Sequence, residues 1–145
     1  MKISTKGRYG LRAMIDLAAN AINDSVTLKS ISERQNISEG YLEQIFSALR
    51  KKGLIQGRKG SQGGYVLGMS MSEMTVGDIL RALEGDLSVV EPEENNAMDK
   101  AEQCIRYKVW NKLNDSINNI VDGITLEDLV LEFNTISNND FMYYI

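Results

Sequence analysis

The chain has 145 residues, 43% of them hydrophobic and 25% charged, with a net charge of −4, the balance of a globular protein of one domain or of one domain with an appendage. It contains no histidine and one cysteine, Cys104. That excludes a Ser-His-Asp triad, a histidine-bearing zinc site, an imidazole pH switch, an internal disulfide and a four-thiolate site within one chain.

In chain order, a first helix is expected from about Thr5 to Ile22, because Tyr9, Met14, Leu17, Ala18 and Ala21 recur at three- and four-residue spacing. Asn23-Asp24-Ser25 stops it. Thr27 is positioned to cap a short second helix, Leu28 to Gln35, and Asn36-Ile37 make a tight turn. Ser38 caps a third helix, Glu39 to about Lys52, which packs through Tyr41, Leu42, Ile45, Phe46 and Leu49 and ends at Gly53. Leu54-Ile55 and Tyr65-Val66-Leu67 read as two short strands, and the glycine-rich stretch Gln56 to Gly64 between them carries Arg58 and Lys59 near its tip. A helix-turn-helix followed directly by a basic-tipped hairpin is a winged helix.

Thr75-Val76-Gly77-Asp78 has the form of a capping box and opens a fourth helix through Ile79, Leu80 and Leu83, closed by Gly85. Residues 86–98, with the only proline and three glutamates, read as an exposed loop. A long helix from about Asp99 to Val121 carries apolar residues at Ala101, Ile105, Val109, Leu113, Ile117, Ile120 and Val121, with Trp110 beside the stripe. Thr125 to Asp128 opens a last short helix to about Phe133, and Asn-rich chain leads to the aromatic end Phe141 to Ile145. The expected fold is therefore mainly α with a small β-hairpin wing. Residues 1–85 form a winged helix-turn-helix DNA-binding domain, 86–98 a loop, and 99–145 a dimerisation helix, a short helix and a tail.

Charge is segregated along this plan. Residues 1–68 hold 11 Lys and Arg against 5 Asp and Glu, a net of +6, whereas residues 69–145 hold 5 against 15, a net of −10. A basic half joined to an acidic half suggests an N-terminal part built for a polyanion, although chance segregation on a solvated surface gives the same numbers. On duplex DNA, phosphate contacts supply affinity and base-edge contacts supply discrimination. Ser38, Glu39, Gly40, Tyr41, Glu43 and Gln44 lie near the start of the third helix, where a recognition helix meets the major groove. Gln44 can hold adenine through paired hydrogen bonds and Glu43 can accept from a cytosine amino group; the alternative is that both are ordinary solvated helix residues. Arg50 and Lys51, with Lys52, suit phosphate contact and equally suit the helix C-terminus. Lys2, Lys6, Arg8 and Arg12 are placed to touch DNA backbone, and Arg58 and Lys59 to enter a minor groove. The long apolar stripe packs either on the winged helix or across a two-fold homodimer, as paired half-sites require. An enzyme is excluded by the lack of a nucleophile–base pair, phosphate loop or metal-ligand spacing. The N-terminus, MKISTKGRYG, lacks the apolar run of a signal peptide, and no stretch approaches the roughly 20 apolar residues of a membrane helix. The expectation is a cytoplasmic protein with no membrane partner.

The segments MKISTKGRYGLRAM, LKSISERQNISEGYLEQIFSALRKKGLI and GGYVLG resemble the Rrf-type family of bacterial winged-helix regulators, continuously from Met1 to Glu84 and again at Thr125–Leu129. That resemblance implies a homodimer joined through the long helix, with recognition helix and wing on an imperfect DNA palindrome. Cluster-binding members, of the IscR type, carry three cysteines between the fourth and long helices and a further ligand after them. Here only Cys104 matches, and Tyr107 stands where a histidine is common. No cofactor is therefore expected, the alternative being an iron–sulfur or redox sensor using Cys104. The chain is most similar to the CymR-like repressors of cysteine metabolism, which lack the cysteine set and end in a similar aromatic-aromatic-Ile sequence. The resemblance implies that Tyr144 and Ile145 bind cysteine synthase, whose active site accepts C-terminal isoleucine tails; the alternative is a tail packed on its own dimer.

Overall fold

The computed structural model describes residues 2–60, 63–91 and 99–143, for 141–143 the backbone alone. Its helices start where local capping chemistry places them. Helix α1 (Thr5–Asn20) begins at Ser4, α2 (Leu28–Gln35) at Thr27 and α3 (Glu39–Lys51) at Ser38, each side-chain oxygen accepting a backbone N–H three residues on. Asn36 adopts the left-handed conformation (φ 54°) that the tight α2–α3 turn demands. Gly53 (φ 76°) closes α3: its N–H bonds the Arg50 carbonyl, and the Leu54 N–H reaches back to Leu49. Because Leu54 is used in that closure, the wing's first strand starts one residue later than the sequence pattern predicts. Strand β1 (Ile55–Gly57) pairs antiparallel with β2 (Tyr65–Leu67), with Gln56 opposite Val66. Val26 pairs with Tyr65 on the other side of β2, which ties the wing to the segment before α2.

Helix α4 (Val76–Glu84) opens on the expected Thr75–Asp78 capping box. It packs on α1 so closely that α1 carries glycines where helices ordinarily avoid them. A Cβ at Gly7 would collide with the Glu84 carboxylate, and one at Gly10 with the Leu83 side chain. Glu84 uses this access to accept the N–H groups of Ser4 and Gly7, both at 3.0 Å, so a carboxylate sits on the positive end of α1.

The long C-terminal helix is observed as α5 (Lys100–Ile105), a π-helical turn (Arg106–Trp110) and α6 (Asn111–Gly123). Its apolar stripe divides in two. Ile117 and Val121 pack with Ile124 and Leu129 against Val76, Leu80 and Leu87, whereas Ile105, Val109, Leu113 and Ile120 are exposed. The last element corrects the sequence reading. Helix α7 (Leu126–Tyr143) runs well past Phe133, because Asn134, Asn138 and Asn139 are weak helix formers rather than breakers and no glycine or proline interrupts them. Thr125 and Asp128 form a second capping box, with two reciprocal bonds of 3.0 Å, and Thr125 pairs with Thr75 in an antiparallel bridge. That bridge returns the chain to its first half. Leu126 and Val130 join the core formed by Met14, Leu17, Ile31, Leu42, Ile45 and Phe46.

Candidate nucleic-acid interface

The orientation of α3 follows from its two faces. Leu42, Ile45, Phe46 and Leu49 are buried, with Phe46 edge-on to Tyr65 of the wing at 5.0 Å. The opposite face presents Ser38, Glu39, Gly40, Glu43 and Gln44, all exposed and close to the capped N-terminus. These five predicted positions share one surface. Arg50 and Lys51 are exposed at the far end of the helix, and Arg58 and Lys59 are exposed on the wing, where the Arg58 N–H closes the hairpin on the Gly64 carbonyl at 2.8 Å. Lys2 and Arg8 are exposed at the start of α1, and Lys6 is half-buried.

Three of the proposed contact residues have internal work. Tyr41 is half-buried and meets Tyr9 edge-on at 6.0 Å. Arg12 lies over the same Tyr9 ring at 5.2 Å and donates to the Gln35 carbonyl, which holds α1 against the end of α2. Arg8 also lies over Tyr9, at 5.9 Å, and donates to Thr5 Oγ1.

The sequence reading missed the polar clamp behind the helix-turn-helix. Asp16 of α1 is only 2% exposed and faces α2. Arg34 donates to it through Nε (2.9 Å) and Nη2 (2.7 Å), and Gln35 through Nε2 (3.0 Å). The Asp16 carboxylate pushes the Arg34 guanidinium further above its ordinary range through this hydrogen bonding. Both donors immediately precede the Asn36 turn, so the clamp holds the end of α2, from which the turn to α3 departs, against α1. The available signal was a lone acid within the apolar stripe of the first helix. A second clamp joins the two halves: Arg81 of α4 donates to Asp122 (2.6 and 3.0 Å) and to Asn118 (2.9 Å) of α6.

Cys104 is exposed, and Tyr107 is 73% exposed. Tyr144 and Ile145 lie outside the described residues. No described helix is long and apolar enough to cross a membrane.

Comparison with known proteins agrees with this architecture. Residues 3–132 match the Rrf2 family, described as iron-dependent transcriptional regulators. The chain is 43% identical to the HTH-type transcriptional regulator CymR of Bacillus subtilis over 145 residues, the full length of both. It is 38% identical to the HTH-type transcriptional regulator IscR of Pectobacterium carotovorum, over 90% of this chain and 79% of that one. The solved structure of CymR, the global cysteine regulator of B. subtilis, superposes with a TM-score of 0.77 at 44% identity, covering 91% of this chain and 98% of that one. The family description implies iron, but the donors here do not fit an iron–sulfur cluster. One thiol per chain and no histidine fall short of the four thiolate or imidazole ligands such clusters take, and among the described residues no three Cys, Asp or Glu side chains converge. With the fold, the two-faced third helix, the basic wing and the family match in agreement, the chain belongs to the Rrf2 family of transcriptional regulators.

Proposed function

We propose that this chain is a homodimeric, sequence-specific DNA-binding repressor, acting in the cytoplasm on genes of cysteine or sulfur metabolism. The observation that carries the DNA reading is the exposed N-terminal face of α3, where Glu39, Gly40, Glu43 and Gln44 stand opposite a fully buried apolar face. Gln44 and Glu43 are the base-reading candidates. Arg50, Lys51, Arg58, Lys59, Lys2 and Arg8 supply the phosphate and groove contacts.

Dimerisation is supported by the open part of the long-helix stripe. Ile105, Val109, Leu113 and Ile120 are 37–62% exposed on one chain, and a contiguous apolar surface of this kind calls for a partner. A two-fold axis through it places two recognition helices on paired half-sites. The metabolic assignment rests on the full-length likeness to CymR. The aromatic-aromatic-Ile ending, similar to that of the CymR-like repressors, is the ground for a protein partner, cysteine synthase, bound through Tyr144 and Ile145.

The test is selection of fragmented genomic DNA on the purified protein, followed by sequencing. The expected result is enrichment of an imperfect palindrome upstream of cysteine or sulfur genes. Fragments recovered without a common motif would overturn the DNA reading; a motif upstream of unrelated genes would overturn the metabolic one.

A further inference from the structure

The winged helix and the long helix are joined by contacts of two kinds. At the corner after α6 the join is backbone: the Val76 N–H bonds the Ile124 carbonyl and the Leu126 N–H bonds the Met74 carbonyl, both at 2.8 Å. Beside it, Val76 and Leu80 of α4 pack with Ile117 and Val121 of α6. Apolar burial is non-directional, so it holds the two helices together without fixing the angle between them. The Arg81 clamp is directional. Nη1 and Nη2 donate to the two oxygens of Asp122 (2.6 and 3.0 Å), and Nη2 donates also to Asn118 Oδ1 (2.9 Å), the planar fork of a guanidinium on a carboxylate. Asn118 and Asp122 stand one turn apart, so a single side chain pins two successive turns of α6.

This clamp is built for closeness rather than for strength. Gly77 precedes Arg81 by one turn of α4, and a Cβ there would collide with Asp122 Oδ1 and Arg81 Nη1; the missing side chain is the space the pair occupies. Yet the Arg81 side chain is 37% exposed and that of Asp122 47%, and exposed pairs contribute little stability. At a joint already held by apolar burial, such a clamp serves to set an angle.

That angle reaches the DNA face. Ile79 and Leu83 of α4 share one core with Leu42 and Ile45 of α3, so α4 moves with the recognition helix. Away from the joint, α6 carries the open residues Leu113 and Ile120 of the proposed two-fold interface. In a dimer, the tilt of α4 on α6 therefore governs the distance between the two recognition helices. One base pair advances the groove by about 3.4 Å. With a lever on the order of 13 Å, the radius of gyration of a domain of about 100 residues, a tilt of about 8° in each subunit covers that distance.

We infer that Arg81, seated against Gly77 and fixed to Asn118 and Asp122, sets the separation of the two half-sites that the protein accepts, a specificity-determining residue that does not itself touch DNA. The inference rests on the dimeric DNA-binding reading above and deepens it.

Selection of the full-length protein on a pool of random-sequence duplexes, followed by sequencing, reads both the half-site motif and the distance between its two copies. The wild type should enrich paired half-sites at one separation. Arg81→Ala, Asp122→Ala and Gly77→Ala should each recover the same motif, with the share of pairs at the wild-type separation about threefold lower, the scale of an exposed ion pair, and neighbouring separations filled. Each variant should bind a duplex carrying one half-site as tightly as the wild type does. Gly77→Ala keeps both clamp partners and brings in the better helix former, so it distinguishes an opened clamp from a weakened fold. Retention of the single wild-type separation by any of the three variants overturns the inference and leaves the dimeric reading standing. Loss of the motif itself, or equal loss of affinity on single and paired half-sites, assigns these residues to folding or direct contact and overturns it too. A wild type that enriches only single half-sites overturns the dimeric reading, and the inference with it.

Discussion

Removing either half of the Asp16–Arg34 clamp should destabilise the protein, and by unequal amounts. Asp16 is 2% exposed and takes three N–H groups, whereas the Arg34 side chain is 41% exposed. In Asp16→Ala, the guanidinium can turn into water and recover most of its hydration. Hydrogen bonds to charged groups contribute about 1.5–3 kcal/mol each, and after that recovery a net loss of about 2 kcal/mol remains. In Arg34→Met, the carboxylate stays sealed with Gln35 as its one strong donor. Breaking a buried pair in that sense costs about 3–5 kcal/mol, so the arginine variant is the worse of the two. The double variant should cost about as much as Asp16→Ala alone, so the coupling equals the whole Arg34→Met loss, about 3–5 kcal/mol. Urea unfolding at fixed protein concentration measures all three. Because Arg34 and Gln35 lead into the Asn36 turn, both single variants should also bind DNA less well at temperatures where they remain folded. Equal losses below about 1 kcal/mol would mean that the pair behaves as a surface salt bridge, and would refute the argument.

Other consequences can be checked together. The Arg81 guanidinium holds the Asp122 carboxyl below its ordinary range, chiefly by hydrogen bonding; its contribution is therefore present above the usual carboxylate pKa and lost as pH falls through the depressed value, and Asp122→Asn should remove that acid-side dependence of unfolding. Leu113→Glu places a carboxylate on the open stripe of each subunit, where a two-fold interface would bury both at a cost of several kcal/mol per ion; sedimentation should show a folded monomer, and an unchanged dimer would place the interface elsewhere. Deleting Tyr144 and Ile145 should leave the melting temperature unchanged and abolish capture of cysteine synthase, and equal capture by both forms would remove the tail from that role.

What could be read from the sequence is governed by how local each determinant is. Thr27, Ser38, Gly53 and the Thr75–Asp78 box act within a few residues of themselves, so their spacing alone places the ends of α2, α3 and α4. The two faces of α3 were legible for the same reason, since Leu42, Ile45, Phe46 and Leu49 repeat at helical spacing. Determinants that depend on a distant partner were not. Asp16 acquires meaning only beside Arg34 and Gly7 only beside Glu84, and the pattern that marks Thr125 as a helix start says nothing of its bridge to Thr75. The stripe of the long helix reads as one pattern, yet α4 covers only Ile117 and Val121. A one-dimensional period cannot report that division. The π turn likewise has no sequence signature.

The central claim is that α3 reads base edges while the flanking basic residues bind phosphate. Fluorescence anisotropy with the selected palindrome and a scrambled duplex of equal length, for wild type, Gln44→Ala and Lys51→Ala, tests it most directly. Gln44→Ala should lose about 1–3 kcal/mol on the palindrome and little on the scrambled duplex, while Lys51→Ala should weaken both alike and flatten the salt dependence. Equal losses on both duplexes for both variants would contradict the assignment of α3 as the recognition helix.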